Sequence, residues 1–315
     1  MRITPWSFAV TPDLCPDVTT QPRRGVVVAA LAAVRPGQWV KNLLLFVPAV
    51  TSHLLFVERS LERSVVGFVA FCCCASAGYL LNDLVDRRHD QLHPRKRARP
   101  FAAGELSVAA GVAMIAILAI AGATLAFALP GSFRLTLASY VVITAAYSLA
   151  LKRYLMIDVI VLAALYTLRI IGGTTAITVV LSPWLLAFSM FLFFSLALVK
   201  RTSELEAIRE NAPAATAGRA YELSDANALA GFGYASACTA VLVLALYVNS
   251  PDVAMLYRHP VFLWGLAPLV LYFLARLWIV ARRGYVEGDP LLYAARDRAS
   301  YVMLAAALLL VWLAL

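Results

Sequence analysis

Apolar runs long enough to cross a bilayer recur from one end of this chain to the other, and no other feature narrows the fold as much. A helix needs roughly 20 residues to traverse the ~30 Å hydrocarbon layer. Nine runs of that order are read at 38–57, 64–81, 106–128, 134–150, 157–180, 183–199, 228–249, 261–281 and 300–315. They are continuous rather than alternating, which argues against the period-two pattern of a membrane β-barrel. A helix satisfies its own backbone hydrogen bonds inside lipid. The expectation is an all-α polytopic membrane protein, a bundle of about nine transmembrane helices. Composition agrees: 62% of the residues are hydrophobic and 14% charged, where a soluble domain has about 45–50% and about 25%.

The basic residues then sort by side. The N-terminal segment through Lys41 and the even-numbered connections hold 21 of the 27 Lys and Arg, and the odd-numbered connections hold Arg59, Arg63, Arg134 and Arg258. Arg169 and Arg276 lie inside runs. Positive charge marks the cytoplasmic side. Residues 82–105, 151–156, 200–226 and 282–298 are therefore expected in the cytoplasm, in a multi-pass protein of the plasma (inner) membrane, with the N-terminus inside and the C-terminus outside. The net charge of +9 then fits a face beside anionic lipid and an anionic substrate, with no need of nucleic acid. Residues 1–25 hold four prolines and no apolar run that could serve as a signal peptide. They read as a flexible cytoplasmic tail, and 26–315 as one membrane-embedded catalytic domain. A homo-oligomer is compatible with the sequence. The five cysteines, Cys15, Cys72 to Cys74 and Cys238, form no CxxC pair and read as packing residues.

Against this apolar background residues 82–104, NDLVDRRHDQLHPRKRARPFAAG, gather three carboxylates and six Lys or Arg. Asp83, Asp86 and Asp90 are spaced three and then four apart, which on a continuous helix places them on one face. Carboxylates stacked in this way repel one another unless a cation lies between them. Mg²⁺ suits such oxygens, because it typically binds one or two carboxylates and completes its shell with water and substrate phosphate. Asn82 adjoins the set as a further oxygen. Arg95, Lys96, Arg97 and Arg99 follow, ready for phosphate oxygens the metal leaves uncovered. Metal and basic clamp together suit a diphosphate leaving group, whose departing charge must be stabilised. A plain charged cytoplasmic loop would account for the basic residues, but not for aspartates at helical spacing at the mouth of a run.

The segment Asn82 to Asp90 followed by HPRKRARPFAAGELS resembles the first signature of the UbiA superfamily of intramembrane prenyltransferases, with His93-Pro94, Lys96, Arg99-Pro100 and Gly104 all in pattern. YSLALK, Tyr147 to Lys152, resembles the Tyr/Lys element after the family's fourth helix. The resemblance implies a helical bundle whose site opens to cytoplasm and lipid, and a Mg²⁺-bound diphosphate substrate. Most members carry a second motif, D-x-x-x-D, after the sixth helix. Here that stretch is LVKRTSELEAIRE: Glu204 stands for the first aspartate and Ile208 takes the place of the second, just after Lys200 and Arg201. Fewer metal ligands and more fixed cations suggest extra substrate phosphate to neutralise.

With RPGQWVKNLLLFVP, LKRYLMIDVIVLAALYTLRIIGG and DPLLYAARDRAS, that departure resembles one branch, the decaprenyl-phosphate phosphoribosyltransferases of actinobacteria. The branch implies transfer of 5-phosphoribose from phosphoribosyl diphosphate (PRPP) to a polyprenyl phosphate, toward cell-wall arabinan. On that resemblance Asn82, Asp83, Asp86 and Asp90 would hold Mg²⁺, with Glu204 as helper, and the three aspartates would be catalytic. Lys96 and Arg99 would cover leaving oxygens, Lys152, Lys200 and Arg201 the 5-phosphate, and Tyr147 the donor. Arg169, a membrane-buried arginine, is a functional residue by default, either a ligand of the acceptor phosphate or an ion-pair partner of Asp158. Asp158 could equally meet the donor. Arg35 and Lys41, either side of Trp39, fit a grip on lipid phosphate or an interfacial anchor. His53, His89, His93 and His259 lack metal-ligand spacing, and Gly172-Gly173 marks bending or close packing. Two other classes remain: prenyl transfer from a prenyl diphosphate to an aromatic acceptor, and a transporter or channel.

Overall fold

The computed structural model describes residues 24–92, 96–211, 221–286 and 288–315, apart from the side chains of 207–211 and 252. Almost all of the expected tail, with His93, Pro94 and Arg95 of the basic run, lies outside these residues. The described chain is helical throughout. It runs through α1 (Val26–Val34), a 3₁₀ stretch Pro36–Phe46, α2 (Val47–Thr51), α3 (Glu58–Val85), α4 (Arg87–Leu92), α5 (Val108–Phe127), α6 (Gly131–Leu149) and α7 (Ile157–Ile177). It continues through α8 (Pro183–Asn211), α9 (Ala226–Val248), α10 (Pro251–Leu256), α11 (Leu266–Arg282), α12 (Pro290–Ala294) and α13 (Arg298–Ala314).

Among the described residues seven helices are long and apolar enough to cross a membrane: α3, α5, α6, α7, α8, and α9 and α11 together with the short turns that precede them. The chain is an integral, multi-pass membrane protein. Nine long helices were expected, and the difference lies at the two ends. The last run is α13, apolar but shorter, at Arg298–Ala314. The first run, 38–57, is not one helix. Pro48 has no N–H for the Leu44 carbonyl, and Val47 donates to that carbonyl instead. The result is an 11-residue 3₁₀ stretch followed by a five-residue helix, where 3₁₀ runs beyond about four residues are uncommon.

The bundle is organised around α3 and α7. In each, 61% of the spanning window is buried, against 11% in α5, whose side chains face outward. One core joins α3, α6 and α7 through Phe71, Phe133, Leu137 and Leu165. A larger one joins α7, α8, α9 and α11 through Val159, Phe193, Leu198, Leu229 and Trp278. α7 is the shared wall, so side chains along it reach the space between both halves. The 3₁₀ stretch lies against α7 where Gly172 and Gly173 remove the side chains. A Cβ on Gly173 would stand 2.2 Å from the Leu45 carbonyl oxygen, and one on Gly172 would stand 2.8 Å from Phe71. These glycines are close-packing devices, and they bring Lys41 and Asn42 of the 3₁₀ stretch against Arg169 of α7.

Candidate active site

The expected helix of three aspartates is broken. α3 ends at Val85, and Asp86 caps it with φ −87° and ψ 1° before α4 begins at Arg87. The break turns the carboxylates in two directions instead of one. Asp83 and Asp90 share Arg99, whose Nη1 lies 3.1 Å from Asp83 Oδ1 and 2.7 Å from Asp90 Oδ2. Asn82 and Asp86 share Lys152, whose Nζ lies 3.2 Å from Asn82 Oδ1 and 2.6 Å from Asp86 Oδ1. Asp83 is buried and takes a second guanidinium: Arg35 Nη2 lies 2.6 and 2.7 Å from its two oxygens. Arg35 sits between α1 and the 3₁₀ stretch with φ +55°, a left-handed conformation that a non-glycine residue adopts at a cost of about 1 kcal/mol or more. The turn it makes aims its side chain at Asp83. Lys152 comes from the turn between α6 and α7, so this connection and the end of α3 lie at one end of the bundle.

A second network gathers at the start of α7. Arg201 on α8 is buried, with Nε 2.5 Å from Asp158 Oδ2, Nη1 2.5 Å from Glu204 Oε2 and Nη2 3.1 Å from the Tyr147 hydroxyl. The Tyr221 hydroxyl donates to Asp158, and the Val159 N–H donates to the same carboxylate at 2.8 Å. Burial and the bond to Asp158 push the Tyr221 phenol well above its usual range. One alternative for Arg169 is thereby corrected. Asp158 pairs with Arg201, because it lies three turns from Arg169 on the same helix and faces α8.

The third network is deeper. Lys41 Nζ lies 2.5 Å from Asp289 Oδ2, and the Tyr166 hydroxyl donates to the same oxygen at 3.2 Å. Asp289 caps α12 through the Leu291 N–H at 3.1 Å. Burial raises its pKa, but Lys41 and Lys200 outweigh burial and hold the carboxyl below its ordinary range. Arg169, 4% exposed, donates to Asn42 Oδ1 at 2.8 Å, to the Leu165 carbonyl at 2.5 Å and to the Tyr140 hydroxyl at 2.9 Å. Among the described residues it touches no carboxylate. Its guanidinium also lies over the Tyr140 and Tyr166 rings, at 4.8 and 5.5 Å from their centroids. Lys200 makes no hydrogen bond or ion pair among the described residues, and its charge senses Asp289, Glu204, Lys41 and Arg201.

Among the described residues no three Asp, Glu, His or Cys side chains close around one point. The oxygens instead come in two pairs, each already surrounding a single cationic nitrogen. That donor set fits a small hard cation held by one pair and completed by phosphate and water. Glu204 is drawn to Arg201 rather than toward the aspartates. Lys96 stands in the 3₁₀ turn Lys96–Ala98 that leads to Arg99.

The sequence profile described as "UbiA prenyltransferase family" matches residues 26–295. This chain belongs to that family. Nodulation protein NoeC of Azorhizobium caulinodans is 38% identical over 284 residues, which are 89% of this chain and 92% of that one. The protein y4nM of Sinorhizobium fredii is 36% identical over 86% of this chain and 53% of its own length, so this chain spans about half of that relative. A decaprenyl-phosphate phosphoribosyltransferase of Mycolicibacterium smegmatis is 33% identical over 192 residues, 60% of each chain. A UbiA homolog from Archaeoglobus fulgidus, solved bound to GPP and Mg²⁺, is alike in fold, with a TM-score of 0.68 over 90% of this chain and 99% of that one at 18% identity.

Several residues of this UbiA member's networks carried no assigned role on sequence grounds. Asp289, Asn42, Tyr140, Tyr166 and Tyr221 come from five separate segments of the chain. Only two left a trace in the sequence: Asp289-Pro290 reads as a helix start, and Asn42 interrupts an apolar run. Arg35, read as a lipid grip or an interfacial anchor, is seen to bond Asp83.

Proposed function

We propose that this UbiA-family chain transfers 5-phosphoribose from PRPP to a polyprenyl phosphate, releasing diphosphate. The observation that carries this reading is the state of the second motif. Glu204, the one carboxylate at the motif's two aspartate positions, and Asp158 are both bridged by Arg201 at 2.5 Å, so a fixed guanidinium stands where the resemblance implies a second metal. A donor with its charge at one end would be held by metals at two motifs. PRPP has a diphosphate on C1 and a separate phosphate on C5, which matches one carboxylate cluster plus fixed cations elsewhere.

Asn82, Asp83, Asp86 and Asp90 would hold Mg²⁺. When bound, the ion would offset charge on the departing diphosphate. Arg99, Lys152 and Lys96 would contact the leaving oxygens. Lys200 would meet the 5-phosphate. Arg169, lacking a carboxylate partner, would meet the acceptor phosphate together with Lys41. The bond from C1 to diphosphate breaks and a bond from C1 to the lipid phosphate oxygen forms. The nucleophile is already ionised, so positioning and electrostatics suffice without a strong general base.

The direct test is incubation of the purified protein with Mg²⁺, labelled PRPP and decaprenyl phosphate. Label should move into the organic phase, and excess EDTA should stop it. If PRPP is ignored while a prenyl diphosphate is transferred to an aromatic acid, the prenyltransferase reading replaces this one. The same reading puts the site on the cytoplasmic side. It is supported by the 21-to-four charge count and by the bonding of Lys152 to Asn82 and Asp86. A cysteine at position 97, on a cysteine-free background, should resist impermeant reagent until cells are lysed.

A further inference from the structure

A recess lies where α11 ends and α13 begins, and none of Asp83, Asp86 and Asp90 lines it. It encloses about 500 Å³ and is lined by Tyr285, Leu292, Tyr293, Arg296, Asp297 and Arg298. Its size is within the roughly 300–1,000 Å³ of small-ligand sites. α12 separates it from the deep network: Asp289 caps that helix and bonds Lys41 and Tyr166, while Leu292 and Tyr293 belong to the recess wall.

The charges of the recess do not cancel. Asp297, the one carboxylate among its described lining residues, is fully engaged. Arg276 Nη1 and Nη2 donate to its oxygens at 2.7 and 3.0 Å, and it caps α13 through the Ser300 N–H and hydroxyl at 3.0 and 2.9 Å. Burial would raise its pKa, but these bonds hold it below the ordinary carboxylate range, so it stays an occupied anion. Arg296 and Arg298 stand either side of it. Both are exposed, and neither makes a side-chain hydrogen bond or ion pair among the described residues. Tyr285, just past the end of α11, and Tyr293 of the short α12 complete the wall, where tyrosine suits the boundary between lipid and water.

We propose that this recess binds the phosphate group of an anionic membrane lipid. Two planar guanidinium forks with no acceptor among the described residues match phosphate oxygens. The tyrosines and Leu292 suit the glycerol and first methylenes. The position beside two outward-facing apolar helices favours a lipid over a freely dissolved phosphate, and a negative leaflet surface adds attraction.

The test uses the full chain purified in detergent, with lipid binding read by native mass spectrometry. Phosphatidylglycerol should bind as one tight copy, and Arg296→Gln with Arg298→Gln should weaken it on the order of tenfold or more. Arg296→Lys with Arg298→Lys should recover part of the affinity. Arg258→Gln, an exposed arginine elsewhere, should change nothing. Inorganic phosphate should compete only at far higher concentration than the lipid. Unchanged phosphatidylglycerol binding in the double glutamine variant, with the fold intact by thermal unfolding, would overturn the proposal. Equal competition by inorganic phosphate would overturn the lipid part and leave a free-anion site.

Discussion

The rim and the interior of this bundle handle charge in opposite ways. At the rim Asp83, Asp86 and Asp90 meet Arg35, Arg99 and Lys152, side chain for side chain. In the interior Arg169 bonds only neutral groups, and Lys41 and Lys200 both act on the same carboxylate, Asp289. A balanced rim can exchange a fixed nitrogen for a metal ion or release one to a phosphate. An interior with cations in excess can be completed only by an anion from outside. In a membrane, where an unpaired charge is expensive, that contrast says more about substrate than either cluster does alone.

The sharpest way to break the contrast is to remove a rim carboxylate. Asp86 has a side chain 28% exposed and one strong partner, Lys152, so Asp86→Ala should leave the fold intact and lower transfer by at least about a hundredfold. Asp83→Ala should abolish transfer as well, and it should also destabilise the protein, because Asp83 is 2% exposed and its loss takes the carboxylate from Arg35, leaving Arg99 with Asp90 alone. Transfer assays and thermal unfolding read the two effects separately. Wild-type turnover in either variant would remove these carboxylates from the chemistry.

Next in size is Arg201→Ala. It removes the guanidinium from Asp158, which is fully buried, and from Glu204. Breaking a buried pair from one side costs about 3–5 kcal/mol. Arg99→Ala at the rim, where the side chain is 26% exposed, should cost far less. Unfolding midpoints of the two variants compare the regions directly, and equal losses would erase the distinction between rim and interior.

The helices, their apolar faces and the first aspartate cluster were legible in the sequence, because each depends on local spacing. Asp83, Asp86, Asp90, Arg99 and Lys152 do come together. The single face did not survive, because the helix breaks at Asp86, and no residue there signals a break as proline or glycine would. The irregular first run was only half legible: Pro36 and Pro48 were visible, but an 11-residue 3₁₀ stretch depends on packing against Gly172 and Gly173. The deep network was least legible. Asn42 and Tyr166 are 124 residues apart in numbering, and Asp289 lies a further 123 from Tyr166. Such pairings follow from how whole helices pack, which spacing along one helix does not encode.

Arg169→Gln tests the interior from its other side. Glutamine keeps donors for Asn42 and Tyr140 but removes the charge. Affinity for the polyprenyl phosphate should fall roughly tenfold to a hundredfold, with KM for PRPP nearly unchanged. Because no carboxylate is stranded, stability should hold or rise. A loss confined to PRPP would reassign this guanidinium to the donor.

The smallest effect should come from Lys200, and it separates two neighbours on one helix. Arg201 is bound by Asp158, Glu204 and Tyr147, while Lys200 makes no hydrogen bond or ion pair among the described residues. Lys200→Ala should therefore leave unfolding almost where it was, yet raise KM for PRPP about tenfold, the equivalent of one charge-assisted bond. It should also change the response to acid. Lys41 and Lys200 hold Asp289 below the ordinary carboxyl range. A depressed native pKa contributes stability above the unfolded carboxyl value of about 3.9, and that stability is lost as pH falls through the native value. Without Lys200 the native value moves up toward the unfolded one, so the variant should lose less stability on acidification, over a narrower pH range, than the wild type. Unfolding measured from pH 7 down to about 2 would show the difference. An unmoved acid limb together with an unmoved KM would place Lys200 outside both the Asp289 network and the donor pocket.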